Sequence, residues 1–366
     1  VRPGGPPIAY YLIASVITIL TLLGLVMVLS ASSIRLFQQG ESPWRYFSKQ
    51  TMWAGLGALA LLITMRVPYE RWRRWVVPIL GLAMAGMLLP FVPGIGVSVN
   101  GARAWAQIGP FGFQPSEFLK IAVLLYCADL LTTRAHSMNV VKVTMWPCLV
   151  VLGGAAGMML IQGDLGSAIV LGALVLAVLF IGGAPLTPMV GAAVGASALS
   201  LVFVMSTEYR RNRFTAFLDV MGNKDDKAYQ VVQGLIGIAD GGLTGVGIGA
   251  SHSKWGYLPL AHSDFIFAIV AEELGLIGVI AVIGSFLLLA FLGVQVALAA
   301  NDRFGMLLAG GVTAWLCTQA IINIGGVTAT MPLTGLTLPF VSFGGSSLLA
   351  SMTAAGLLLN VARTSR

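Results

Sequence analysis

Apolar runs of about 20 residues recur along almost the whole chain, and this feature constrains the fold more than any other. An α-helix rises about 1.5 Å per residue, so roughly 20 apolar residues are needed to cross the hydrocarbon core of a membrane. Only 10% of the residues are charged, whereas about a quarter are charged in soluble domains. A membrane β-barrel would instead show short alternating strands. The sequence therefore predicts an all-α polytopic membrane protein, with residues 1–366 forming a single integral membrane domain.

The hydropathy pattern predicts about ten transmembrane helices, and an even number places both termini on one side of the membrane. Basic residues such as Arg71, Arg73 and Arg74 concentrate on the side of the termini, which the positive-inside rule assigns to the cytoplasm. Residues 206–263, between spans 7 and 8, then form a large extracytoplasmic loop, whose aromatic residues favour an ordered lid or a re-entrant structure. The predicted spans are residues 8–30, 49–65, 75–91, 117–133, 144–161, 167–184, 187–205, 268–298, 304–323 and 345–362.

Asp264 stands at the entrance of an apolar run that extends to residue 300. The run is too long for one straight span, so we expect it to be tilted, kinked or partly interfacial. Taking an ionised carboxylate toward hydrocarbon costs roughly 2.5–3.5 kcal/mol. We therefore hypothesise that Asp264 is a catalytic carboxylate that acts on a lipid-linked substrate at the membrane surface. The alternative is that Asp264 caps the helix that follows it.

Other residues in and before this run have a structural interpretation beside a functional one. For Glu272 and Glu273, structural pairing with polar groups is favoured over a place in the active site. The glycines of residues 241–249 superficially resemble a phosphate-binding loop. No strand precedes them, so a flexible turn or close helix packing is favoured. His262 either orients Asp264 or a sugar hydroxyl, or is an ordinary interfacial histidine.

Residues outside this run give weaker signals. Ser116 is a candidate N-cap for the fourth span, with Glu117 in its first turn. Asp129 and Asp164 are interpreted as structural or interfacial residues. Without CxxC or HxxxH spacing, the cysteines indicate small core residues rather than a disulfide or a metal site; they are Cys127, Cys148 and Cys317.

Five segments, in order along the chain, resemble motifs of the SEDS family of cell-wall proteins, which includes FtsW, RodA and SpoVE. The resemblance covers nearly the whole chain, and the GLTLP sequence at residues 335–339 favours the FtsW branch. The chain departs from the usual motifs in several places; for example, Leu260 replaces an acidic residue and Ala104 replaces an arginine. The matching segments are residues 100–120, 163–171, 209–219 with Tyr229, Gln230 and Gln233, 245–275, and 332–349.

The resemblance implies a peptidoglycan glycosyltransferase that polymerises lipid II at the outer face of the bacterial cytoplasmic membrane, during division or elongation. It also implies a class B penicillin-binding protein as partner, together with other divisome or elongasome proteins and membrane lipids. Nucleic acid and an organic cofactor are not expected. Two other functions stay open on the sequence: a lipid II flippase, which is a transporter, and a non-catalytic divisome scaffold.

The catalytic carboxylate of the family falls on Asp264, which would act as the base while undecaprenyl diphosphate leaves. Arg and Lys side chains suit diphosphate, because charge-assisted contacts to phosphate oxygens are strong. The family also raises the expectation of a divalent cation, Mg²⁺ or Mn²⁺, at Asp264, although no dense carboxylate cluster marks a metal site. The candidate substrate-binding residues are Arg213, Lys254, Arg103, Lys120, His262, Glu117, Gln230 and Ser342.

Two of these candidates also have a structural interpretation. Lys120 lies three residues after Glu117, so the two side chains can simply pair on one face of a helix. Ser342 belongs to a glycine- and serine-rich stretch that suits a tight turn before the last span.

Overall fold

The computed structural model shows a mostly helical, polytopic membrane protein. It describes residues 7–99, 101–109, 111–224, 226 and 228–365, without the side chains of Tyr209 and Arg213. Short 3₁₀ turns lie at Arg73–Trp75, Leu89–Phe91, Ala135–Ser137 and Ser253–Trp255. The α-helices of the described residues are α1 Ile8–Gln38, α2 Arg45–Arg66, α3 Tyr69–Trp72, α4 Val76–Gly86, α5 Pro115–Thr133, α6 Met145–Ile161, α7 Leu165–Ile181, α8 Leu186–Met205, α9 Glu208–Leu218, α10 Tyr229–Gly241, α11 Ile266–Leu298, α12 Arg303–Val327 and α13 Gly345–Thr364.

Each predicted span overlaps one of these helices. Six segments of the described chain are long and apolar enough to cross a membrane: α1, α8, α11, α12, α13 and the stretch Tyr69–Phe91. Helices α6 and α7 are apolar but shorter. Integral membrane character follows, while ten crossings with both termini in the cytoplasm stay a prediction.

Helices α12 and α13 form the centre of the bundle, whereas α8 is almost entirely exposed. Residues 206–263 contain α9 and α10, so the segment predicted as a long loop is partly helical. Cys127 on α5 and Cys148 on α6 are buried, and Cys317 on α12 is partly buried. All three thiols are free, as their spacing indicated.

The connection before α5 contains a three-stranded antiparallel sheet, so the all-α prediction is wrong for this segment. Its strands are β1 Gly96–Val99, β2 Ala102–Ile108 and β3 Phe111–Phe113. An Asn-Gly pair follows β1, and such pairs favour tight hairpin turns because they tolerate positive φ. Gly101 has φ +80°, and Val99 pairs with Ala102 across the turn. Asn100, which is part of the first SEDS-like segment, lies outside the described residues.

Helix α5 begins at Pro115, and its N-cap residue is Gln114. The prediction that Ser116 caps this helix is therefore wrong. Proline suits the first turn of a helix because the amide hydrogen that it lacks would have no partner there. The Ser116 hydroxyl instead donates to the Asp164 carboxylate at 3.0 Å. Asp164 also caps α7 by accepting from the Ser167 amide at 3.1 Å, so its structural interpretation is confirmed.

The long apolar run is kinked, which is one of the three arrangements expected from its length. Helix α11 is interrupted at Gly275, where φ is +63° and ψ is −158°. The interruption leaves backbone carbonyls without helical partners, and a second segment supplies donors to them. The Val246 amide donates to the Glu272 carbonyl at 3.0 Å, and the Gly247 amide donates to the Glu273 carbonyl at 3.1 Å.

The glycines of residues 241–249 allow this segment to enter the interruption. A Cβ atom on Gly241 would lie 2.0 Å from the Ala271 carbonyl oxygen, and one on Gly245 would lie 2.2 Å from the Glu273 carbonyl oxygen. Only glycine permits such an approach of two backbones. Close helix packing is therefore confirmed as the role of these two glycines.

Candidate active site

Asp264 lies just before α11, where that helix meets α12 and the irregular segment between α12 and α13. Asp264 is not the N-cap residue of α11, because that position is Phe265. Asp264 is partly buried, and its backbone carbonyl accepts from the Asn323 side chain at 2.9 Å. Gly335 lies beside the carboxylate, because a Cβ atom there would be in van der Waals contact with Asp264 Oδ2 at 3.6 Å; its φ of +75° is the reason that glycine suits this position.

The segment between α12 and α13 holds the residues that precede Asp264. The Ser342 hydroxyl donates to the Ser263 carbonyl at 2.7 Å and accepts from the Leu338 amide at 2.8 Å. The Phe343 amide donates to the His262 carbonyl at 2.9 Å. Ser342 is therefore buried in a turn before α13, as its structural interpretation proposed, and a contact with substrate stays a prediction.

His262 is packed among aromatic rings. Its imidazole stacks on Tyr46, with 4.7 Å between the ring centroids, and meets the edge of Phe343 at 5.6 Å. Burial, and secondly the charge of Arg35, lowers the pKa of His262 to about 4, so the ring is neutral at pH 7. A cavity of about 240 Å³ with a mixed polar and apolar lining adjoins the ring, and its polar residues are Arg35, Gln38, Gln39, Lys254 and His262.

Lys120 and Glu117 form a buried ion pair on α5, with 2.9 Å between Nζ and Oε1. The ammonium of Lys120 also donates to Gln319 Oε1 at 3.0 Å and lies 4.9 Å from the ring centroid of Trp315. Their pairing at i, i+3 is confirmed, and a role of either residue in substrate binding stays a prediction.

Helix α12 links this ion pair to Asp264. Gln319, which accepts from Lys120, donates through Nε2 to the Thr337 carbonyl at 3.0 Å. Asn323 lies one turn further along and contacts Asp264. Gln319 and Asn323 belong to no motif recognised in the sequence. Their position within a predicted membrane span is the signal that could have identified them, because polar side chains there commonly mark function or polar packing.

Lys254 is buried, and its ammonium is engaged inside the protein. It donates to Glu273 Oε1 at 3.0 Å and to the Ser30 hydroxyl at 3.2 Å. Glu272 is also buried and accepts from the Ser251 hydroxyl at 2.7 Å. Structural pairing of both glutamates is therefore confirmed, while the diphosphate contact of Lys254 stays a prediction.

The remaining candidates lie toward the Asp264 end of the bundle. Arg103 is exposed on β2, and its backbone amide donates to the Gln162 carbonyl at 2.9 Å. Gln230, on α10, donates to the Pro259 carbonyl at 2.7 Å. The side chain of Arg213 lies outside the described part of the structure. At the other end of the bundle, Asp129 pairs with Arg73 at 2.6 Å, as its structural interpretation indicated.

The residues that the structure describes include no cluster of three or more His, Cys, Asp or Glu side chains that could hold a metal ion. A divalent cation at Asp264 would therefore need oxygen atoms of the substrate to complete its coordination.

Comparison with known proteins identifies the family. The model of a cell cycle protein family, named for FtsW, RodA and SpoVE, matches residues 10–366. A protein of Geobacter metallireducens, named probable peptidoglycan glycosyltransferase FtsW, is 39% identical over 93% of this chain and 91% of its own length. Stage V sporulation protein E of Bacillus subtilis is 35% identical over 97% of both chains.

Solved structures show the same fold. RodA of Thermus thermophilus is 30% identical, with a TM-score of 0.70 over 96% of both chains. A chain from a structure described as "structural coordination of polymerization and crosslinking by a peptidoglycan synthase complex" is 28% identical. Its TM-score is 0.76 over 96% of this chain and 97% of that one. The chain therefore belongs to the FtsW/RodA/SpoVE family, the SEDS family that its motifs resemble.

Proposed function

We propose that this protein is a peptidoglycan glycosyltransferase that polymerises lipid II into glycan strands at the outer face of the bacterial cytoplasmic membrane. Its relatives named as FtsW glycosyltransferases support the reaction class, because they match almost the full chain. The observation that carries the assignment to Asp264 is its position. It is a partly buried carboxylate at the end of the bundle that the positive-inside rule places outside, held by contacts from α12 and the segment before α13.

The proposed reaction needs one base and stabilisation of one leaving group. Asp264 accepts the proton of the 4-hydroxyl of the acceptor GlcNAc while that oxygen attacks the anomeric carbon of the donor MurNAc. The bond from this carbon to undecaprenyl diphosphate breaks, and the configuration at the carbon inverts. The diphosphate leaves with the bonding electron pair, so positive side chains near it lower the barrier. Arg103, which is exposed on the outer sheet, is one candidate for this role, with Arg213 and Lys254 as others.

The proposal includes partners. A class B penicillin-binding protein would crosslink the new glycan, and the structural similarity to a chain from a peptidoglycan synthase complex supports an assembly of this kind. Mg²⁺ or Mn²⁺, bound by Asp264 together with substrate phosphates, would add positive charge beside the leaving diphosphate. Other division or elongation proteins and membrane lipids complete the proposed environment.

The test is polymerisation of purified lipid II by the protein with its class B partner. We expect long glycan strands from the wild type and none from Asp264→Asn, which keeps the shape of the side chain but is not a base. Asp240→Asn is the matched control, because Asp240 is exposed on α10, and we expect it to retain activity. Normal polymerisation by folded, partner-bound Asp264→Asn would refute the base assignment.

The same preparations distinguish the alternatives. A flippase would move labelled lipid II across liposome membranes without making glycan, and a scaffold would do neither. Polymerisation that depends on Asp264 argues against both, because neither alternative requires a base at this position.

A further inference from the structure

We propose that Lys254, Glu272 and Glu273 are positioning residues that fix the segment 251–265, and with it Asp264, on the bundle. The inference rests on the proposed function, because it assigns these residues to the setting of the catalytic carboxylate. It gives Lys254 an internal role in place of the diphosphate contact for which its charge makes it a candidate.

Glu272 holds the beginning of the segment. One carboxylate oxygen accepts from the Ser251 hydroxyl at 2.7 Å. The other accepts from the backbone amides of His252 at 2.5 Å and Ser253 at 3.3 Å. Bonds to an ionised acceptor are stronger than neutral ones, and this carboxylate is fully buried. A Cβ atom on Gly237 would lie 3.1 Å from Glu272 Oε2, so α10 packs directly against the site.

Glu273 attaches the next residue of the segment to α1. Its carboxylate accepts from Lys254 at 3.0 Å and from the Ser30 hydroxyl at 2.7 Å. Lys254 and Glu273 have side-chain exposures of only 2% and 0%. A buried charge that loses its partner is strongly unfavourable, so each side chain requires the other.

The other end of the segment is fixed independently. The Ser263 carbonyl accepts from Ser342, and the Asp264 carbonyl accepts from Asn323. Helix α11 then begins at Ile266 and runs to the interruption at Gly275, which lies next to the two glutamates. The first residues of the segment are therefore held at the C-terminal end of this half-helix, and its last residues lead into the N-terminal end. Both ends of the segment are fixed to the bundle by hydrogen bonds.

This arrangement can influence catalysis without any contact between the glutamates and the substrate. Glu272 lies eight residues beyond Asp264, which is about 12 Å along a helix at 1.5 Å per residue. A misplacement of about 1 Å can lower a rate by about 10²-fold, because reacting groups must be closely aligned. Loss of the hydrogen bonds to Glu272, or of the ion pair between Lys254 and Glu273, is therefore expected to lower kcat of the folded protein.

A double-mutant cycle tests the inference. The variants are Lys254→Met, Glu273→Gln and the combination of both, each purified as the complex with the class B partner. We expect each single change to lower kcat at least about tenfold, because it leaves a buried charge unpaired. The combination removes both charges and should regain most of the lost kcat, with the KM for lipid II near that of the wild type.

The rival role of Lys254 gives the opposite pattern. If its ammonium binds the diphosphate of the substrate, the combined variant stays as impaired as Lys254→Met, and that result would overturn the inference. Wild-type kcat in folded single variants would also overturn it, since the pair would then affect stability alone.

Ser30→Ala keeps the test decisive if a single variant fails to fold. It removes one hydroxyl from Glu273 but leaves the ion pair with Lys254 in place. We expect a fall in kcat of about two- to fivefold without a rise in KM, in the range of one lost hydrogen bond. An unchanged kcat would contradict the inference. Wild type and Asp264→Asn are assayed in the same series, so an inactive wild type would point to failure of the proposed function instead.

Discussion

Asn323 is hydrogen-bonded to the backbone of the proposed base, with 2.9 Å between its Nδ2 atom and the Asp264 carbonyl oxygen. The same amide nitrogen donates to the Leu336 carbonyl at 2.6 Å. One side chain of α12 therefore holds together the two backbone segments that flank the Asp264 carboxylate. Gln319, one turn earlier, holds the second of these segments at Thr337.

Replacement of Asn323 by aspartate should reduce polymerisation while the shape of the side chain is kept. The carboxylate cannot donate to either carbonyl, and it brings a negative charge near Asp264. We expect kcat to fall at least about tenfold, in line with the sensitivity of rates to small misplacements. The measurement is lipid II polymerisation with size-exclusion analysis of folding. Asn301→Asp is the control, because Asn301 is exposed at the other end of α12, and wild-type activity in both variants would contradict the prediction.

The interruption of α11 should depend on Gly275. Its φ is +63°, and a Cβ atom there would lie 2.3 Å from the Gly245 amide nitrogen. Gly275→Ala should therefore lower the thermal stability and the activity, because both the backbone conformation and the packing exclude a side chain. Gly284→Ala lies in the same helix with no atom within 4 Å of the added methyl group, and helix propensity should leave it neutral or about 0.5–1 kcal/mol more stable. Equal melting temperatures for Gly275→Ala and Gly284→Ala would contradict this prediction.

The buried ion pair of α5 should be sensitive to the loss of one partner. Lys120→Met leaves the Glu117 carboxylate buried without its cation, which typically costs about 3–5 kcal/mol. Thermal unfolding in detergent measures the loss, and Lys120→Met combined with Glu117→Gln should recover part of it. Arg45→Gln is the control, since the pair of Arg45 and Glu41 is exposed, and exposed pairs contribute little to stability.

The helices and the place of Asp264 could be predicted because their signals are local. Each span is a contiguous apolar run, and the ion pair of Lys120 with Glu117 follows from their separation by three residues on a helix. The Asn-Gly pair before β2 is an equally local signal, because such pairs favour tight hairpin turns. The three strands were nevertheless missed in the fold class, because they are short insertions in a helical chain.

The partners of Lys254 could not be predicted, since Ser30 lies 224 residues away in the sequence and Glu273 lies 19 residues away, beyond the reach of helix periodicity from Lys254. From the sequence alone, a lysine in a polar loop is as well suited to contact a phosphate as to form an internal ion pair. The same limit applies to Asn323, whose acceptors are backbone carbonyls that carry no sequence signal. Long-range polar contacts, rather than secondary structure, were thus the part of the site that required the structure.

The neutral, buried His262 should make the stability of the protein depend on pH. Its pKa in the folded protein is about 4, against an ordinary value of 6.5. Between these values the unfolded chain binds a proton that the folded protein does not, so stability is full above pH 6.5 and falls as the pH is lowered toward 4. Each pH unit corresponds to about 1.4 kcal/mol, which gives a loss of about 3 kcal/mol across this range.

Melting temperatures between pH 4 and pH 8 test this dependence. Arg35→Gln removes a positive charge whose field lowers the pKa of His262, so the loss of stability should begin at the same pH but be smaller. His262→Gln should remove this component, whereas His136→Gln should not, because His136 is exposed on the opposite side of the bundle. An identical pH dependence in wild type and His262→Gln would mean that other groups control the acid stability. The contacts of His262 with Tyr46 and Phe343 would then contribute packing but no pH dependence.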